Sequence, residues 1–147
     1  MKTLFKIIGL FLLISSYNVM ATTDPLTGTY KTIDDETGTA KSIVQIYQKN
    51  GAFYGKIIKL FRKKSEEQDP ICDKCTGKRK NKKIIGMIIL ENLKKDGKEY
   101  SGGTIYSPKK GKEYDCKMWF ENGKLKVRGY VAFFYRTQTW IPQEVKK

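Results

Sequence analysis

Histidine does not occur among the 147 residues. Its absence removes the side chain that most often acts as a general base near neutral pH, and the commonest metal ligand. Ser–His and Cys–His nucleophile pairs cannot be built. Any catalytic reading must therefore rest on carboxylates, Tyr, Lys or Cys alone. Cysteine is sparse, with three residues at 72, 75 and 116. That is one short of the four ligands of a structural zinc site, and no imidazole can complete the set. Long apolar runs are missing too. The stretch Ile7–Ile14 has eight residues, interrupted by Gly9, against the roughly 20 that a membrane-spanning helix needs; no later run is long enough. No segment shows a helical period, and no repeat or low-complexity linker marks a second domain. These absences point away from a metalloenzyme, a His-dependent hydrolase and a helical membrane protein. No cofactor or metal is expected.

The N-terminus has the form of an export signal. Lys2 and Lys6 precede the short apolar core, and Val19-Met20-Ala21 supplies small or aliphatic residues at the cleavage positions. Residues 1–21 are read as a cleaved signal peptide and residues 22–147 as a single domain. Periplasmic or secreted localisation follows. Removing Lys2 and Lys6 lowers the basic count from 29 to 27 against 15 acids, leaving a net charge of +12. Such a surface steers anionic partners. Export separates the protein from most nucleic acid, so an anionic envelope component, whether lipid, glycan or acidic protein, is the expected macromolecular partner.

The remaining sequence reads as an all-β meander. Strands are predicted at Gly28–Ile33, Ser42–Gln48, Phe53–Phe61, Ile84–Leu90, Tyr100–Tyr106, Lys112–Phe120, Lys124–Val131 and Tyr135–Ile141, between turns such as Asn50-Gly51, Asp96-Gly97 and Asn122-Gly123. Alternation is clearest late in the chain. Tyr114, Cys116, Met118 and Phe120 share one face, as do Leu125, Val127, Gly129 and Val131. Eight successive strands with short links close most simply into an antiparallel up-and-down barrel, which removes exposed edges. A two-sheet sandwich is the alternative. Arg62–Lys83 interrupts the meander as a polar insertion with nine Lys or Arg and four Asp or Glu, expected over one mouth of the barrel. Lys78, Arg79, Lys80, Lys82 and Lys83 form its basic surface.

Cys72 and Cys75 admit several readings. A thioredoxin-type dithiol needs a helix N-terminus within a βαβ pattern, and neither is present. An oxidising compartment favours a disulfide. Cys116 falls on an apolar strand face, where a thiol acts as a small hydrophobe. A Cys72–Cys75 clasp is expected, with a bridge to Cys116 as the rival pairing. Arg128, Arg136, Gln138 and Trp140 crowd the last two strands. They are the candidate anchor for the polar end of a ligand, and barrel closure with Arg136 stacked on Tyr30 is the competing role. Asp34-Asp35-Glu36 reads as a solvated turn.

The segments Gly28–Asp34, Cys72–Cys75, Asn81–Gly86, Gly102–Tyr106, Val127–Gly129 and Arg136–Trp140 together resemble an uncharacterised family of small exported bacterial proteins, domain-of-unknown-function family twenty-one forty-seven. The resemblance spans nearly the whole mature chain and implies a lipocalin-like, calycin-type barrel. It departs at Ser107, where the family pattern has Asp, and at Lys83, where it tends to have Pro. In lipocalin-like barrels a first-strand Trp packs with a basic residue of the last strand; the resemblance puts Tyr30 and Arg136 in those roles. The expected function is that of an exported, non-catalytic barrel that binds a small amphipathic or anionic ligand. The alternative is an envelope protein whose basic loop meets an anionic surface.

Overall fold

The computed structural model describes residues 21–144. The expected signal peptide, except for Ala21, lies outside the described residues. Eight strands follow in order: β1 (Gly28–Ile33), β2 (Ala40–Lys49), β3 (Ala52–Leu60), β4 (Ile88–Asp96), β5 (Glu99–Ser107), β6 (Lys112–Glu121), β7 (Lys124–Val131) and β8 (Phe134–Gln143). Each pairs antiparallel with its chain neighbours, and β8 returns to β1 from Thr29↔Gln143 to Ile33↔Thr139. The expected up-and-down barrel is therefore closed, and no edge is left for another chain to extend.

Alternation explains the inside. Leu125 and Val127 of β7 and Cys116 and Met118 of β6 are buried. The intervening Lys124, Lys126, Lys117 and Trp119 face outward. Two residues expected on the inner faces, Phe120 and Val131, are 37% and 51% exposed because they sit at strand ends, beyond the core. Val44, Ile46, Phe53, Leu90, Met118 and Trp140 fill the interior at no more than 2% exposure. Each such burial contributes roughly 1.5–3 kcal/mol. An eight-stranded barrel is just wide enough for side chains to fill. Packing at Gly55 is close: a Cβ there would lie 2.8 Å from Leu90 Cδ1 and 3.1 Å from Val44 Cγ1.

One end of the barrel, the floor, carries the tight hairpins Asn50-Gly51, Gly97-Lys98 and Asn122-Gly123, with positive φ at Asn50, Gly51, Gly97, Asn122 and Gly123. The segment before β1 crosses this floor. Leu26 is fully buried. The Asp24 carboxylate accepts hydrogen bonds from the Tyr100 hydroxyl (2.6 Å), Lys95 Nζ (2.8 Å) and Leu26 N (2.9 Å). Burial opposes its charge, yet the bonds from Lys95, Tyr100 and the backbone hold the carboxyl below its ordinary range. The Tyr30 hydroxyl donates to Leu26 O at 2.9 Å. Burial, with the Asp24 charge, pushes that phenol up to about 12.

The opposite end, the rim, is less regular. It carries the β1–β2 turn, residues 61–87 between β3 and β4, the β5–β6 turn and the two-residue β7–β8 hairpin Ala132-Phe133. The fourth strand differs most from expectation. Ile84–Met87 belongs to the rim segment, and β4 runs instead from Ile88 through Leu93 to Asp96. Asn92, at φ +59, breaks the alternation, and pairing with β3 shifts between Phe53 and Lys56. A bulge in β5 faces it. Pairing with β6 shifts between Tyr100 and Gly103, Gly102 has φ +76, and a Cβ on Gly103 would lie 2.2 Å from Glu91 O.

Candidate functional site

The rim segment between β3 and β4 builds an open surface cleft. It folds on itself without a helix of any length. Ile71 bridges Lys83, Cys72 N donates to Lys82 O (2.8 Å), Asn81 N to Cys72 O (3.0 Å) and Ile84 N to Pro70 O (3.0 Å). A single 3-10 turn, Gly77–Arg79, reverses the chain between the two arms. Cys72 and Cys75 form the expected disulfide, and both are buried; Cys116 is the free, buried thiol. The clasp packs against the β5–β6 turn. Gly111 is needed there because a Cβ would fall 1.9 Å from Lys74 O.

The insertion was expected over a mouth. It sits on the rim and continues down the outer wall of β4–β6, because the outward residues of those strands offer it partners. The Tyr106 hydroxyl accepts from Thr76 N at 3.3 Å. Arg79 lies 4.3 Å over the Tyr106 ring and reaches Glu91 at 2.6 Å and Glu113 at 3.7 Å. Lys78 also pairs with Glu91, at 3.1 Å. Burial works against the Glu91 charge, but the bonds and charges of Lys78 and Arg79 outweigh it and hold the carboxyl below its ordinary range.

Between insertion and wall lies an open cleft of about 440 Å³, lined by Lys78, Arg79, Lys82, Lys83, Gly86, Glu91 and the apolar side chains of Ile85, Met87 and Ile88. Four of the five predicted basic residues line it; Lys80 does not. Lys83 is engaged by Asp69, which raises its pKa. Lys82 has no carboxylate partner among the described residues. A concave site with an apolar wall and a cationic rim suits a molecule with an anionic head and a greasy body. The sequence hides the apolar half of this cleft, because Ile84–Leu90 reads as one buried strand. The positive φ of Gly86 (+90°) turns the chain so that Ile85, Met87 and Ile88 meet the insertion.

The predicted anchor of Arg128, Arg136, Gln138 and Trp140 does not converge. Register places Arg128 opposite Thr137, on the outer face, where its guanidinium stacks between Trp119 (4.8 Å) and Tyr135 (4.2 Å). Gln138 and Trp140 face inward and satisfy each other, with the indole N–H donating to Gln138 Oε1 at 3.0 Å. Arg136 stands at the rim and pairs with Asp35 and Glu36, both at 2.7 Å. It does not stack on Tyr30. Tyr30 is opposite Pro142, six residues further along β8, which is about 20 Å at strand rise. Barrel closure is backbone pairing of β1 with β8, and Arg136 ties the β1–β2 turn to it. Asp34 caps that turn through Glu36 N and Thr37 N, both at 3.0 Å. Among the described residues no group of three or more Cys, Asp or Glu is arranged to hold a metal ion. No helix there is long and apolar enough to cross a membrane.

A closed, eight-stranded antiparallel barrel of consecutive strands is the lipocalin-like architecture. A solved structure described as protein HP1028 from Helicobacter pylori, which belongs to the lipocalin family, is similar to this chain, with a TM-score of 0.69. Identity is 23% over 83% of this chain and 85% of that one, a likeness of fold. Residues 28–141 match the model of an uncharacterized protein family conserved in bacteria, DUF2147, and the chain belongs to that family. No curated protein matches it.

Proposed function

We propose that the protein is an exported, non-catalytic lipocalin-like barrel that binds a small amphipathic anion in the cleft between the insertion and β4, outside the barrel. The observation that carries this reading is the convergence of Lys78, Arg79, Lys82 and Lys83 on an apolar wall of Ile85, Met87 and Ile88, while the barrel interior is filled by its own side chains. The unpaired Lys82 ammonium would meet the head group, and the apolar wall would take the chain. Charge-assisted hydrogen bonds of this kind are worth about 1.5–3 kcal/mol.

Calorimetric titration with dodecyl phosphate below its micellar concentration, with dodecanol as the neutral control, tests the reading. The mature chain is expected to bind the phosphate and to bind dodecanol far more weakly. Lys82→Glu should weaken binding by about tenfold or more, following that magnitude. Equal affinity of the wild type and Lys82→Glu would overturn it. Export has its own test: protein recovered from the cell envelope should begin at Thr22, and an intact N-terminus on that material would contradict it.

A further inference from the structure

The β7–β8 hairpin carries a second feature, remote in sequence from the cleft. Val131, Phe133, Phe134 and Tyr135 are 51%, 98%, 79% and 58% exposed. This is the densest exposed apolar cluster among the described residues, and little of it is buried in the core. The β4–β5 hairpin places Gly97 (φ +62) at the first turn position, and two others use Asn-Gly. The β7–β8 hairpin instead holds Ala132 at φ +51, a conformation disfavoured for a residue with a Cβ. It then projects Phe133 almost wholly into water.

Behind the tip the side chains are ordered by polarity. Tyr130 and Tyr135, paired in register with ring centroids 5.9 Å apart, form a collar. Two positions further back, Arg128 packs on Tyr135, bonds Thr137 Oγ1 at 2.7 Å and has no carboxylate partner among the described residues. At strand rise, the collar lies about 7 Å behind the tip and Arg128 about 13 Å behind it. Hydrocarbon first, aromatic hydroxyls next and a guanidinium last is the polarity profile of one bilayer leaflet, in which interfacial elements sink roughly 5–10 Å. Glu113 and Asp115 border the shallow depression beside Tyr130 and Val131. With Lys2 and Lys6 removed, 27 basic residues against 15 acids leave a net charge of +12, which supplies the long-range attraction.

We infer that the β7–β8 tip is a membrane-contacting wedge, inserting Phe133 and Phe134 into the surface of a phospholipid bilayer that contains anionic lipid, with Arg128 at the phosphates. The residues are distinct from those of the cleft, so this inference stands whether or not the cleft binds an amphiphile.

The experiment is co-sedimentation of the mature chain, Thr22 to Lys147, with phosphatidylcholine vesicles with and without phosphatidylglycerol at about three lipids in ten. Binding is expected on the mixed vesicles. Phe133→Ser/Phe134→Ser should lower the partition coefficient by about tenfold or more with an unchanged near-ultraviolet circular dichroism spectrum. Arg128→Gln should reduce binding to the anionic vesicles selectively. Phe133→Trp should show a blue-shifted emission change on vesicle addition. Absence of wild-type binding, or equal binding by the double serine variant, would overturn the inference. So would a concentration-dependent dimer that the double variant disperses, since that would assign the tip to a second copy of the chain.

Discussion

Replacing Arg79 with Ala should loosen the insertion without unfolding the barrel. The Arg79 side chain is 12% exposed and its partner Glu91 is 19% exposed, so their 2.6 Å contact is far less screened than a surface pair. A hydrogen bond between charged groups is worth about 1.5–3 kcal/mol. Stacking on Tyr106 at 4.3 Å adds about 0.5–1 kcal/mol. Two effects work the other way. Lys78 remains on Glu91 at 3.1 Å, and the freed arginine rotamers return up to about 2 kcal/mol of entropy. The net expectation is a loss of about 2 kcal/mol in urea unfolding at neutral pH, with an unchanged m-value. A double-mutant cycle with Glu91→Gln should return a coupling of about 1 kcal/mol. Acid titration supplies an independent check. The folded Glu91 carboxyl lies below its ordinary 4.5, so its contribution is complete above that value and lost as pH falls through the folded one. The Arg79→Ala protein should therefore lose less stability than wild type below pH 4.5. Hydrogen exchange gives the location. Amides of Cys72, Asn81 and Ile84, which hold the two arms together, should lose protection while Val127 keeps it. A destabilisation below about 0.5 kcal/mol with unchanged exchange in the insertion would refute the clamp.

Cys72→Ser/Cys75→Ser should cost about 2 kcal/mol by loop-closure entropy, because the bridged residues are three apart; melting under oxidising and reducing conditions measures it, and no difference would contradict the clasp's role. The Cys116 thiol, which burial pushes up to about 12, should ignore a thiol reagent at pH 8 until the protein is unfolded, when one thiol per chain reacts. Immediate reaction of native protein would refute its burial. Asp24→Ala should destabilise by about 2–3 kcal/mol by releasing Tyr100, Lys95 and the buried Leu26 from the floor. Because the folded Asp24 carboxyl is depressed below 3.8, the difference between Asp24→Ala and wild type should be full above pH 4 and shrink as pH falls. A pH-independent gap would mean that the carboxylate charge plays no part.

The barrel was legible because its chemistry is local. Asn50-Gly51 and Asn122-Gly123 announce hairpins, and Leu125 and Val127 alternate with Lys124, Lys126 and Arg128. The fourth strand was not, because two irregularities hide it. Ile84–Leu90 is the most strand-like text in the region, yet Gly86 turns it. The true strand continues through Glu91-Asn92-Leu93-Lys94, whose alternation the Asn92 bulge disrupts, leaving fully buried Leu93 among polar neighbours. The candidate site followed the same pattern. Lys78, Arg79, Lys82 and Lys83 are visible as charge, but their apolar wall appears only once Ile85 and Met87 leave the strand and Ile88, at the start of β4, stands exposed beside them. Arg128, Arg136, Gln138 and Trp140 as a set are close in sequence only. Pairing of β7 with β8 divides them among the outer face, the rim and the core. Phe133 and Phe134 fall in the connection between the predicted strands Lys124–Val131 and Tyr135–Ile141, where the sequence does not distinguish an exposed aromatic pair from one folded back on the barrel.

The most direct measurement is heteronuclear NMR of the chain from Thr22 to Lys147 titrated with dodecyl phosphate. Binding in the cleft predicts shifts confined to Lys78–Lys83, Ile85–Ile88 and Glu91. Shifts centred on Val44, Leu125 and Trp140 would put the amphiphile inside the barrel and contradict the account.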